Sequence, residues 1–490
     1  MNEERFLWFK ISAIIQKMKI NPYIFRGYDL RGEVGKDLNP EIAEHLGKVF
    51  GTLLKRRGHN KAVIGRDFRT TSYDYSQAMI KGLNFAGINT TDIGLELVGT
   101  FYWSQYFLNC PGGVYITASH NPAEYNGFKF AIGFSETMVE KDIQLLREMA
   151  EKDDFEKAEI PGKNEERKIR EDYFAELQKR INFEKRFKIV VDPSNSTAGE
   201  IVPELLKKFG CEVIEKNCKL DPSFPLGTID PTETKVAKRL SEEVIEAKAD
   251  IGFSFDADGD RIGIVDEKGG IIWNDILVAI FAMAALKKHP GQTIMYNFLC
   301  SKAVEETILK NGGQPFMWRV GHSVLKAKNR EVKAAFIGEL SGHFFFSADF
   351  YNHDDGIYSM LSLLSYLSEI NKTLSEITAS IPQYISSPEI KVGCPDNLKV
   401  GLIEKIGLKI RQDFPQAKII NKEITDDGIR AEMEDSMLVV RYSQNGPYLT
   451  IKFEAKKQEE YDGLKNYISK LLHNYPEIDW NFGVNIESLD

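Results

Sequence analysis

Three carboxylates stand at alternate positions in Asp256-Ala257-Asp258-Gly259-Asp260-Arg261, directly after the apolar run IGFSF. Crowded onto one loop they repel each other unless a hard cation neutralises them, and oxygen donors without His or Cys favour Mg²⁺ over zinc. A solvated acidic turn is the plainer alternative. An EF-hand, suggested by Glu267 at position twelve from Asp256, fails because Arg261 holds the position that needs Gly. A second loop, TASHNP at 117–122, follows GGVYI and offers Ser119 beside His120 and Asn121. A strand-end hydroxyl is either a nucleophile or ordinary turn chemistry. The chain has no GxSxG elbow and no GxxxxGK[ST] loop. Phosphoryl chemistry joins the two motifs, because Mg²⁺ held by Asp256, Asp258 and Asp260 could take an oxygen of a serine-linked phosphate as a further ligand.

Three more clusters have the right residue types. In GELSGH, Glu339 and Ser341 lie two residues apart, so on an extended segment they point the same way and can bind vicinal hydroxyls; a capped loop with a surface Glu is the alternative. His322 in VGHS precedes the helical pattern LKAKNREV, and a lone His is more often structural than catalytic. In Arg441-Tyr442-Ser443-Gln444-Asn445-Gly446-Pro447 the Arg fork, hydroxyl, amide and Gly-exposed backbone suit a phosphate, against the reading of a plain hairpin turn.

Such loops need rigid elements behind them. The chain has 490 residues, which at roughly 100–200 per domain means about three to five domains. With 42% hydrophobic residues it can build large cores, so wholesale disorder is excluded. Apolar, β-rich runs at 61–67, 112–122, 187–196, 249–260 and 333–343 alternate with helical patterns, which predicts α/β units with mainly parallel sheets and functional loops at strand C-termini. A charged stretch at 152–170 reads as one boundary, followed by Tyr173, Phe174, Leu177 and Ile181 at helical spacing; a second falls near Glu267–Gly270. Beyond Pro382 the pattern becomes α+β, with GIRAEM and SMLVVRYS separated by the turn Glu434-Asp435.

The net charge of −9 disfavours non-specific nucleic-acid binding. Five scattered cysteines without a CxxC pair argue for a reduced, cytoplasmic protein. The apolar run Phe6–Ile15 is broken by Lys10, is shorter than the roughly 20 residues that span a bilayer, and follows MNEER rather than a basic signal start, so no membrane association is expected.

Taken in order, with FRGYDLRG at 25–32 and YNGFK at 125–129, these loops resemble the α-D-phosphohexomutase superfamily, specifically its bacterial phosphomannomutase/phosphoglucomutase branch. The resemblance runs from about Phe25 to the C-terminal region. It implies an N-terminal extension (1–21), a phosphoserine domain (22–165), a metal-binding domain (166–269), a sugar-binding domain (270–385) and a mobile, TBP-like phosphate-binding domain (386–490) around a central cleft. It implies a mutase interconverting hexose 6-phosphate and hexose 1-phosphate through phosphorylated Ser119 and a bound hexose 1,6-bisphosphate, with Mg²⁺ on Ser119, Asp256, Asp258 and Asp260. Arg261, Arg31 and Tyr28 would line that pocket, and Lys129 and His322 would be acid/base candidates. Glu339, Ser341 and His343 would meet the sugar, and Arg441, Ser443 and Asn445 the phosphate that is not reacting. The protein would act as a monomer or homodimer. Two departures stand out: Leu299 replaces the family's basic residue, so a phosphate contact is expected to be missing, and Asn445-Gly446 replaces the usual Thr-containing pair. A phosphatase or bisphosphate synthase on the same scaffold, and a non-catalytic sugar-phosphate sensor, are the competing readings.

Overall fold

The computed structural model describes residues 18–444 and 446–489. The expected N-terminal extension therefore lies mostly outside the described residues, although Met18 and Ile20 pack on the first core. Asn445 lies outside them too.

Four sheets follow one another along the chain. The first has six strands in the order Leu30–Glu33, Tyr125–Ala131, Gly112–Ile116, Lys61–Arg66, Asn89–Leu95 and Asn164–Glu166. The charged 152–170 stretch thus supplies an edge strand, which runs parallel to Asn89–Leu95. The second sheet is built around Lys188–Asp192 and Ile251–Phe255, the third around Thr293–Asn297 and Phe336–Gly338. Helices cover these sheets, among them Arg170–Arg180, which buries Tyr173, Phe174 and Leu177 at the spacing read from the sequence.

One device recurs in the first three units. A strand parallel to its neighbour ends in a short loop, and the next strand returns antiparallel beside it. Gly112–Ile116 returns as Tyr125–Ala131, Ile251–Phe255 as Ile262–Asp266, and Phe336–Gly338 as Phe344–Phe345. The connecting loops are TASHNP, DADGDR and GELSGH. The same turn of the chain therefore carries the chemistry in each unit.

The fourth sheet is antiparallel, and the hairpin expected at Glu434-Asp435 pairs Glu432 with Met437. Its central strand Ser436–Tyr442 is buried on both faces. Leu438 and Val440 pack with the unit's own helices, Lys399–Asp413 and Gln458–His473, whereas Met437 and Val439 join the large core shared by the other units. Polar neighbours on that second face complete the seam: Arg430, 1% exposed, donates to the carbonyls of Phe298 and Cys300 at 2.8 and 2.6 Å, and Lys452 lies 3.0 Å from Asp275. Removing Arg430 would leave two buried carbonyls without donors, at about 1–3 kcal/mol each. Leu299, between those carbonyls, is itself buried in apolar core. All five cysteines are free, and among the described residues no helix is long and apolar enough to cross a membrane.

Candidate functional site

Ser119 sits in the left-handed region, at φ 50°, where a non-glycine residue is held only because its surroundings over-determine it. Those surroundings are visible. Its amide donates to Thr117 Oγ1 at 2.7 Å, and the Arg69 guanidinium ties the loop by donating to the carbonyls of Ser119, Asn121, Pro122 and Tyr125 at 2.6–3.0 Å. Arg31 adds bonds to Ala118 O and Asn121 Oδ1 while forking onto Asp29. The loop thus aims the Ser119 hydroxyl at the second unit, where it donates to Asp256 Oδ2 at 2.8 Å.

The DADGDR loop closes tightly, with Asp256 Oδ1 accepting from the amides of Gly259 and Arg261. Glycine suits position 259: its φ is 70°, and a Cβ there would press on the Leu97 side chain at 2.7 Å. Asp256, Asp258 and Asp260 are all at most 1% exposed, and their oxygens lie within 4.8 Å of one another. Burial, reinforced by the charges of Asp258 and Asp260, pushes the Asp256 carboxyl well above the ordinary range. Asp258 Oδ1 is buried without a hydrogen-bond donor among the described residues, and Asp260 Oδ1 lies 3.4 Å from His343 Nε2. Hard oxygen donors, surplus negative charge and orphaned lone pairs together fit a divalent cation of the Mg²⁺ class.

Lys129, on the returning strand of the first unit, reaches across to Asp258 at 2.7 Å and Asp260 at 2.5 Å. Burial alone would lower its pKa, but these two carboxylates hold it well above the usual lysine value. It is a fixed cation within the acidic cluster. Arg261 pairs with Asp230 at 3.4 Å and approaches Asp256 at 3.9 Å.

The third loop joins through the backbone, since Arg261 and His343 form an antiparallel bridge. Here the extended geometry expected of GELSGH is overturned. The segment is a tight turn in which Gly342 N bonds Glu339 O and Glu339 N bonds His343 O, with Gly342 at φ 91°. Glu339 and Ser341 are brought to the site by this turn and not by strand alternation. Glu339 Oε2 accepts from Asn297 Nδ2 and Gly321 N, while Oε1 lies 3.7 Å from His343 Nδ1 and has no hydrogen-bond donor among the described residues; burial raises the Glu339 pKa. Ser341 Oγ pairs with His343 Nδ1 at 2.9 Å.

His343 Nε2 lies 3.4 Å from Asp260 and 3.8 Å from Asp354, and its ring stacks on His322 at 5.2 Å. His322 in turn meets Tyr28 edge-on at 4.7 Å, and burial lowers its pKa well below the usual value, so it is neutral. Lys326 and Asp354 form a buried pair at 2.8 Å, and Asp354 also reaches His322 Nδ1 at 3.5 Å. Sequence reasoning missed Arg69, Lys326 and Asp354. The doubled acid before a helix in His353-Asp354-Asp355-Gly356 was an available signal, although Asp355 is spent on the N-cap, accepting from Tyr358 N.

Arg441 projects from the fourth sheet and forks onto Asp427, while Ser443 Oγ accepts from Gly446 N at 3.2 Å. The structure thus brings Ser119, Lys129, Arg31, Tyr28, His322, Arg261, Glu339, Ser341, His343 and the three Asp residues into one contiguous set. Arg441 and Ser443 stand on a separate face.

Family models described as phosphoglucomutase/phosphomannomutase, alpha/beta/alpha domains I, II and III, match residues 22–157, 171–270 and 273–384. The chain belongs to this family, within the α-D-phosphohexomutase superfamily. It is 35% identical to a phosphomannomutase/phosphoglucomutase of Pseudomonas putida over 94% of this chain and 97% of that one. It is 32% identical to a phosphoglucomutase of Neisseria meningitidis, covering 93% and 98%. A solved structure of a Burkholderia thailandensis member of the family superposes with a TM-score of 0.82 at 31% identity, covering 90% of this chain and 95% of that one. The protein is accordingly a phosphohexomutase, an isomerase of sugar phosphates. Enzymes of this family generally use Mg²⁺ and a phosphoserine, and the Asp256, Asp258 and Asp260 cluster is suited to the metal.

Proposed function

We propose that this enzyme interconverts hexose 6-phosphate and hexose 1-phosphate, with mannose, glucose or both as the sugar, through phosphorylated Ser119. The observation that carries this reading is the Ser119 hydroxyl lying 2.8 Å from Asp256 within a buried triad of carboxylates. In the forward half-reaction the free O1 or O6 of the substrate attacks phosphorus, the bond to Ser119 Oγ breaks, and the hydroxyl proton passes to a base. The product is a bound 1,6-bisphosphate. It turns over in the cleft, and its other phosphoryl group returns to Ser119. Mg²⁺ on Ser119, Asp256, Asp258 and Asp260 would supply charge neutralisation for the transferring group.

Lys129 and His322 are the acid/base candidates. Asp258 and Asp260 hold Lys129 in its charged form, and burial holds His322 in its neutral form. Arg261, Arg31 and Tyr28 bound the pocket around the serine. Glu339, Ser341 and His343 grip the sugar, whose hydroxyls find a buried acceptor in Glu339 Oε1. Arg441, Ser443 and Asn445 hold the non-reacting phosphate. The four sheets and the family matches support domains at 22–165, 166–269, 270–385 and 386–490. The five unpaired cysteines support a reducing, cytoplasmic setting.

³¹P NMR with mannose 1-phosphate, glucose 1-phosphate and glucosamine 1-phosphate in turn, with Mg²⁺ and a trace of bisphosphate, tests the reading. Appearance of a 6-phosphate from mannose or glucose is the expected result. Release of inorganic phosphate would mean a hydrolase, accumulation of bisphosphate a synthase, and unchanged substrate a sensor.

A further inference from the structure

On the strand Ile390–Gly393, Ile390 and Val392 enter the core of the fourth unit, so Lys391 between them points from the opposite face. That face carries a cross-strand row. Arg441 pairs with Thr450, and Thr450 pairs on its other side with Lys391, so three side chains from three neighbouring strands stand abreast. At ordinary strand spacing the two cations are rooted roughly 10 Å apart, within reach of a single tetrahedral anion above Thr450.

Two further observations point to a ligand. Thr450 is fully buried, and its Oγ1 has no hydrogen-bond partner among the described residues. An unmade buried hydrogen bond is costly, so a row that retains a hydroxyl here is better explained by an acceptor that visits it. Both cations rest on carboxylates of their own unit: Arg441 forks onto Asp427, and Lys391 Nζ lies 4.0 Å from Glu389 Oε2 and 5.7 Å from the Tyr448 ring. The charges of Asp230 and Arg261 in the second unit act on Lys391, and the charge of Lys391 acts in turn on His120 beside Ser119. The row thus lies within electrostatic reach of the loop that carries Ser119.

We propose that Lys391 is a second cation of the C-terminal phosphate site, so that the non-reacting phosphate of the substrate lies between Arg441 and Lys391 and accepts a hydrogen bond from Thr450 Oγ1. This rests on the reading of that face as the seat of the distal phosphate. A phosphate dianion is then met by two cations from different strands, and its charge is balanced without recruiting the cluster around Ser119.

The test is calorimetric titration of the full chain with inorganic phosphate and with glucose 1-phosphate, for wild type, Lys391→Gln, Lys391→Arg and Arg441→Ala. Lys391→Gln should weaken both ligands about tenfold or more, with Lys391→Arg recovering most of the loss. In turnover the same change should raise KM while kcat stays within about twofold. Unchanged phosphate affinity in Lys391→Gln overturns the proposal, and so does a loss that Lys391→Arg leaves unrecovered, which marks packing and not charge. Arg441→Ala must weaken the same binding event; if it does not, the shared site is refuted. Wild-type protein that binds phosphate but shows no turnover refutes the mutase reading alone, and the binding comparison still decides the role of Lys391.

Discussion

The hairpin loops of the first three units and the open face of the fourth sheet solve the same problem in different ways. Each loop gathers its chemistry into a few consecutive residues at a strand end, held by its own backbone bonds and by the next unit. Ser119 meets Asp256, Lys129 meets Asp258 and Asp260, and Arg261 bridges His343. The fourth unit instead spreads Arg441, Thr450 and Lys391 over three strands of one face, where only register makes them neighbours. Contiguous loops suit groups that must be placed to within a fraction of an ångström of reacting atoms. A row of long side chains on a sheet suits a phosphate that must be gripped, released and gripped again in the other orientation. Chemistry should therefore fail when the loops are altered, and affinity when the face is altered.

The largest effect is expected at the serine. Ser119→Ala should lower kcat by at least about three orders of magnitude, because the loop's other hydroxyl, Thr117 Oγ1, is tied to the amide of residue 119 and not aimed at the carboxylates. Melting temperature should stay close to wild type, and turnover near the wild-type rate would remove Ser119 from the mechanism. Chelation comes next. EDTA should abolish activity, and Mg²⁺ should restore it, since three buried carboxylates facing the cations Lys129 and Arg261 remain under-neutralised. Full activity in metal-stripped protein would show that those two cations suffice.

The same contrast governs what the sequence disclosed. DADGDR, TASHNP and GELSGH are legible because each is contiguous and follows an apolar strand, so residue type and spacing already state the chemistry. Their geometry was less legible: the Glu339 to His343 segment is a turn closed by its own backbone bonds, which alternation of residue types does not reveal. Arg69, which also pairs with Asp67, escaped notice because its partners in the serine loop are carbonyl oxygens, which leave no mark on residue identity. Lys326 and Asp354 lie 28 residues apart and meet only in the folded third unit. Lys391 was invisible for a related reason, as an isolated lysine between two apolar residues is what any edge of a half-buried strand looks like.

Arg441→Ala should act mainly on binding. The distal phosphate makes similar contacts in ground and transition states, so the loss is of uniform binding and should raise KM roughly ten- to a hundredfold, for a charge-assisted fork worth about 1.5–3 kcal/mol. The variant also frees Asp427, which then stands buried without its main cation. Some loss of stability should accompany the KM change, and Asp427→Asn in the same chain should recover it. An unchanged KM would take the fourth sheet out of the substrate site and collapse the contrast between loops and face.

The smallest and sharpest effect is expected at Thr450. Valine has the same shape and lacks only the hydroxyl, which bonds to nothing among the described residues. Thr450→Val should therefore leave the melting temperature unchanged or raise it slightly, because removing an unsatisfied buried oxygen is neutral or favourable. If the hydroxyl serves the phosphate, the same substitution should raise KM about two- to tenfold, the value of one hydrogen bond at about 0.5–1.5 kcal/mol, with kcat nearly constant. Stability and affinity then move in opposite directions from one atom, a signature that a packing defect does not produce. Parallel losses in both would assign Thr450 to the core of the sheet, and an unchanged KM would confine the phosphate site to Arg441 and the loop that follows it.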